Sequence, residues 1–84
     1  MKKQEFDLNY QYQLYLDRVK LKESQMAPVQ RTELKRAFFG ACGQMLMLLR
    51  DDIGKLEEDE AIKELDGMIN QVSDFWLTET KRVN

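Results

Sequence analysis

The stretch FDLNYQYQLYLDRVKL, Phe6–Leu21, decides the fold. Its first half places Phe6, Leu8, Tyr10, Tyr12 and Leu14 at every second position, the period of a half-buried β-strand. No other stretch of the chain reads as a strand, and a lone strand leaves its backbone donors and acceptors unpaired. A strand here would need a second copy of the protein as its partner. A helix works locally. Asp7 suits the N-cap, and Phe6 and Gln11 fall at the staple positions, although Gln11 is a weak apolar partner. The alternation then describes a helix with two apolar sides. Leu8, Tyr12, Tyr15, Leu16 and Val19 form a face toward the core, and Tyr10, Leu14 and Leu21 form a second stripe roughly opposite. That second stripe is expected to be exposed in a single chain and covered in a complex.

Two breaks divide the rest of the chain. In SQMAP, Ser24–Pro28, the proline disfavours the α region at Ala27 and fits the first position of a new helix. In DDIGKLEEDE, Asp51–Glu60, Gly54 is a candidate helix C-cap and the acids after it suit the positive end of the next helix dipole. Three helices are expected, at roughly 7–24, 28–53 and 58–81.

The third helix carries Ile62, Leu65, Ile69, Val72 and Trp76 at spacings of three and four, flanked by Ala61, Met68 and Phe75. Lys63, Asn70 and Asp74 lie outside this arc, so the helix has one apolar face. The second helix has apolar residues on every side between Ala37 and Leu49, where only Gln44 is polar. Such a helix is expected to be buried all round. Its small residues Ala37, Gly40, Ala41 and Gly43 would admit another backbone closely. The apolar faces outnumber what three helices can bury among themselves. The surplus predicts an interface with a second copy or another protein.

Composition narrows the function. The 84 residues suit one small domain, a size that oligomerisation often supplements. Thirteen Lys and Arg against fifteen Asp and Glu leave a net charge of −2, which gives no general attraction to nucleic acid or anionic lipid. There is no histidine, and the one cysteine cannot form an internal disulfide, so a reducing compartment is expected, the cytoplasm by default. The start MKKQEFDLNY has no apolar core, so it does not read as a secretory leader. The run from Ala37 to Leu49 is shorter than the ~20 residues that span a bilayer.

Reactive chemistry finds little support. Cys42 has no histidine to activate it and reads as a small core residue. One cysteine without histidine cannot build a usual zinc site, and the acids around residues 51–60 lack the ligand spacing of a calcium loop. No cofactor, metal or small-molecule substrate is expected. Arg18, Lys20, Lys22, Arg31, Lys35 and Arg36 flank the first turn and form a candidate basic patch. Yet the helix after that turn is long and apolar, unlike the polar recognition helix of a helix-turn-helix protein.

The sequence therefore predicts an all-α, three-helix up-down bundle with a long, apolar central helix, completed by oligomerisation, most simply a homodimer. The expected role is that of a non-enzymatic protein–protein interaction module, structural, adaptor or regulatory. Tyr10, Leu14, Leu21, Gly40, Gly43 and Met47 are its candidate interface. The alternative is a nucleic-acid-associated regulator that uses the basic turn.

Overall fold

The computed structural model describes residues 4–83, with side chains through Thr80. The described chain is all-α: helices α1 (Leu8–Arg18), α2 (Pro28–Asp51) and α3 (Glu58–Val83) alternate with 3-10 turns at Gln4–Phe6, Glu23–Gln25 and Ile53–Lys55. The alternating stretch is thus helical. Asp7 sits in extended backbone as the N-cap, and its carboxylate accepts a 2.8 Å hydrogen bond from the Asn9 amide. Gln11 replaces the apolar staple with a polar one, its Nε2 donating to the Glu5 carbonyl at 2.8 Å. Backbone contacts separate the chain into two compact units, with the boundary between Met45 and Leu46 inside α2.

The first unit owes its core to the predicted face of α1. Tyr12 and Leu16 are each 1% exposed, and Met26, from the returning loop, is 7% exposed. Tyr15, Leu21, Leu34, Phe38 and Phe39 pack around them. The Tyr12 ring lies 5.1 Å from Phe38 and 6.5 Å from Phe39, and Tyr15 lies 5.6 Å from Phe38, all tilted. Phe38 and Phe39 meet edge-on at 5.8 Å. Each such pair contributes about 0.5–1.5 kcal/mol beyond the area it buries.

The end of α1 corrects the sequence expectation. The helix stops at Arg18 rather than near residue 24. Lys20 adopts a left-handed conformation (φ 61°), its amide donates to the Asp17 carbonyl at 3.2 Å, and the Leu21 amide donates to the Leu16 carbonyl at 2.9 Å. These are the two reversed bonds of a Schellman stop, whose residue after the left-handed position packs back on the helix's last turn. Leu21 is accordingly half-buried against the core, not exposed with Tyr10 and Leu14 as the helical spacing predicts. Downstream, the Gln13 side-chain amide holds the loop through Glu23 at 3.1 Å.

A lysine in this conformation carries a Cβ penalty that glycine avoids. Lys20→Gly is expected to stabilise the first unit by about 0.5–1 kcal/mol, read as a higher urea midpoint. A lower midpoint would contradict the assignment.

The early stop also explains a second departure. α1 has 11 residues and α2 has 24, about 16 Å against 36 Å of helix. So short a neighbour covers only part of α2, and no residue of α2 is buried, contrary to its all-round apolar pattern. α2 does begin at Pro28, as predicted, with Ala27 accepting the first helical bond from Arg31 at 3.0 Å.

In the second unit α2 ends at Asp51, two residues earlier than expected, and Gly54 is not its cap. Gly54 sits inside the 3-10 turn without positive φ, and a Cβ there would meet the Leu49 carbonyl oxygen at 3.2 Å. Its requirement is close approach, not left-handed backbone. α3 opens with Glu58, Asp59 and Glu60 in its first turn, where the dipole favours negative charge, and it extends two residues past its predicted end.

Candidate interaction surfaces

Three apolar surfaces remain open. On α1, Tyr10 and Leu14 are each 38% exposed, as their stripe predicts. They stand two residues from the buried Tyr12 and Leu16, about 200° around the helix.

On α2, an added Cβ at Gly40 or Gly43 would meet nothing within 4 Å. The close backbone that these glycines would admit is not supplied by the described residues of this chain. Met45 in the first unit, and Leu46, Met47 and Leu49 in the second, are exposed. Of these only Met47 belongs to the interface expected from sequence. Cys42 is a free, half-buried thiol rather than a core residue.

On α3, Ile62, Ile69, Val72, Phe75 and Trp76 range from 48% to 60% exposed. The sequence pattern assigns this stripe to the core. Its 3-4 spacing is legible, but spacing identifies an apolar face without identifying what covers it. Phe75 and Trp76 meet edge-on at 5.2 Å, which braces the indole on the stripe.

Three of the six candidate basic residues, Arg31, Lys35 and Arg36, are engaged locally. The Lys35 ammonium lies 5.9 Å from the Tyr12 ring centroid and 6.0 Å from that of Phe39, within cation–π range. Arg36 pairs with Glu33 at 3.6 Å, and Arg31 Nη2 reaches the Met26 carbonyl at 3.4 Å. Arg18, Lys20 and Lys22 are exposed. A depression of about 370 Å³ lies among Thr32, Lys35, Arg36 and Phe39, and one of about 260 Å³ among Tyr15, Leu34, Ala37, Phe38 and Ala41. Among the described residues no three side chains are placed to share a metal ion, and no helix is long and apolar enough to cross a membrane. Arg50 and Asp51 form a two-point pair at 2.7 and 3.0 Å, and this hydrogen bonding holds the Asp51 carboxyl below its usual range.

One buried group is polar. The Tyr12 hydroxyl has no hydrogen-bond partner among the described residues. Desolvation, followed by the nearby Glu23 charge, pushes its pKa above 10.0. An unmet buried hydroxyl costs about 1–3 kcal/mol, so Tyr12→Phe is expected to be neutral or to stabilise by about 1 kcal/mol in thermal unfolding. The pH dependence has a definite sign. Below pH 10 the phenol is neutral in both states. Above pH 10 the unfolded chain ionises first, so stability falls as pH rises through the folded pKa. Tyr12→Phe should flatten that alkaline decline; an unchanged decline would assign it to other groups.

These surfaces define a class by architecture, an all-α chain with extensive open apolar faces. Compared with protein-family models, with curated proteins and with solved structures, the chain matches none.

Proposed function

We propose that this protein is a small non-enzymatic interaction module that acts through its apolar helix faces and associates with itself. The observation that carries this reading is the imbalance of its surface. Among the described residues, three apolar side chains are buried while fifteen large ones are exposed. Exposed apolar area on this scale marks association surfaces. Oligomerisation would complete the helical bundle that the sequence predicts. Tyr10, Leu14, Gly40, Gly43 and Met47 remain its candidate contacts, joined by the α3 stripe; Leu21 belongs to the core.

The glycines supply a test in which association and folding separate. In a single helix, Gly→Ala stabilises by about 1 kcal/mol when the site is open. Gly40→Ala and Gly43→Ala should therefore raise the thermal midpoint of dilute protein. If a second backbone docks there, the same variants should weaken association in sedimentation. Stabilised chains with unaltered association would remove Gly40 and Gly43 from the interface.

The nucleic-acid alternative draws less support, because Lys35, Arg31 and Arg36 are engaged within the first unit. Titration with duplex and single-stranded DNA across salt decides it: phosphate contacts require affinity that falls steeply with salt.

A further inference from the structure

We infer that the segment after α1 is a strap with two settings. In the observed one the helix stops at Arg18; in the second, α1 runs on through Glu23 and carries Leu21 out of the core. The switch lies within one chain and stands apart from the self-association reading above.

The observed setting joins two unfavourable features. Lys20 is left-handed at φ 61°, and among the described residues no other non-glycine residue has a positive φ. A side chain in that conformation brings its Cβ against the following carbonyl oxygen. In the core that the strap closes, the Tyr12 hydroxyl is buried without a hydrogen-bond partner. Glu23, on the strap, stands near enough for its charge to act on that phenol, yet its carboxylate accepts from the Gln13 amide at 3.1 Å instead. Against these features stand two apolar contacts: Leu21 packs on the Tyr12–Leu16 cluster, and Met26 is buried in it. Apolar anchoring therefore holds the strap, and its own backbone and an unmet hydroxyl oppose it.

The sequence supplies the second setting. From Val19 to Ala27 there is neither glycine nor proline, and Lys20, Leu21, Lys22 and Glu23 are all strong helix formers. Continued helix returns Lys20 to right-handed backbone. It leaves Ser24–Ala27 as the connection to Pro28, where α2 starts, and so short a loop suffices between antiparallel helices. Leu21 then lies seven residues past Leu14, two turns along at nearly the same angle, and joins Tyr10 and Leu14 on the open side of α1. The Tyr10–Leu14–Leu21 stripe that helical spacing predicts is thus the extended setting, and the core contact of Leu21 is the stopped one. The strap sets how much apolar face α1 presents and whether Tyr12 and Leu16 are covered.

The experiment is relaxation-dispersion NMR of the full chain, which detects a minor state exchanging in microseconds to milliseconds. The unmodified chain should show exchange at Val19–Glu23, with minor-state carbon shifts that are helical. Two substitutions move the balance in opposite directions. Lys20→Gly relieves the stopped form and weakens the extended helix, and should lower the minor population at least about tenfold. Leu21→Ala removes the core anchor, keeps a strong helix former, and should raise that population at least about tenfold. Should Leu21→Ala loosen the whole first unit, exchange spreads to Leu8–Arg18 and Lys20→Gly decides. Random-coil minor-state shifts at Val19–Glu23 show the strap fraying and overturn the extension. So does a minor population that Lys20→Gly leaves unchanged, or an absence of exchange at these residues. Exchange that grows with protein concentration assigns the motion to association; it overturns the switch and leaves the interaction-module reading standing.

Discussion

Replacing Leu16 by alanine is expected to cost the first unit about 2–5 kcal/mol, the range for a large-to-small change at a buried leucine. Few substitutions in this protein should matter more. Leu16 is 1% exposed, its carbonyl accepts the reversed bond from Leu21, and Leu21 itself packs into the core it shares with Leu16. With three buried apolar side chains among the described residues, no reserve of packing absorbs the cavity. α1 should therefore detach from α2. Circular dichroism would show reduced helicity at 25 °C or a sharply lowered urea midpoint, and the ring-current shifts of Phe38 and Phe39 protons should collapse. Leu14→Ala, on the open side of the same helix, serves as control and should cost less than 1 kcal/mol. Equal losses at both positions would refute the assignment of faces on α1.

The second large effect concerns association. The triple replacement of Ile69, Val72 and Phe75 by glutamine removes three half-exposed apolar side chains from α3. Each is worth about 1.5–3 kcal/mol when fully buried, so even partial burial implies a loss of several kcal/mol of contact energy. The dissociation constant should rise by about a thousandfold, since every 1.4 kcal/mol is a factor of ten. Glutamine is a good helix former, so the isolated helix should survive. Sedimentation equilibrium measures the affinity and circular dichroism checks the helicity. Retained association with retained helicity would remove the α3 stripe from the interface.

How far the sequence foretells this structure varies by element. The helical character of Leu8–Arg18 is legible because no stretch elsewhere reads as a partner strand. The Asp7 cap, the Pro28 start and the acidic opening of α3 are legible because each satisfies a local electrostatic or steric rule. The core positions of Tyr12 and Tyr15 follow from helical spacing. The end of α1 does not. It depends on Lys20 in a left-handed conformation that favours glycine, so the usual sequence mark of a helix stop is missing. The misplacement of Leu21 is a direct result, since helical spacing fails beyond the last turn. Gly54 misleads for the opposite reason: it is a glycine near a helix end whose role is to clear the Leu49 carbonyl.

The open faces of α2 and α3 differ in kind. Their apolar patterns are clear in the sequence, and the expectation of burial comes from them. A pattern records that a face avoids water in the functional state, and that state can include a second chain. Gly40 and Gly43 illustrate this: their small size reads as room for another backbone, and that room remains open.

The most direct test is sedimentation equilibrium of the unmodified chain from about 1 μM to 1 mM. Self-association predicts a mass that rises with concentration from 10.0 kDa toward twice that value. A mass fixed at 10.0 kDa throughout would contradict it.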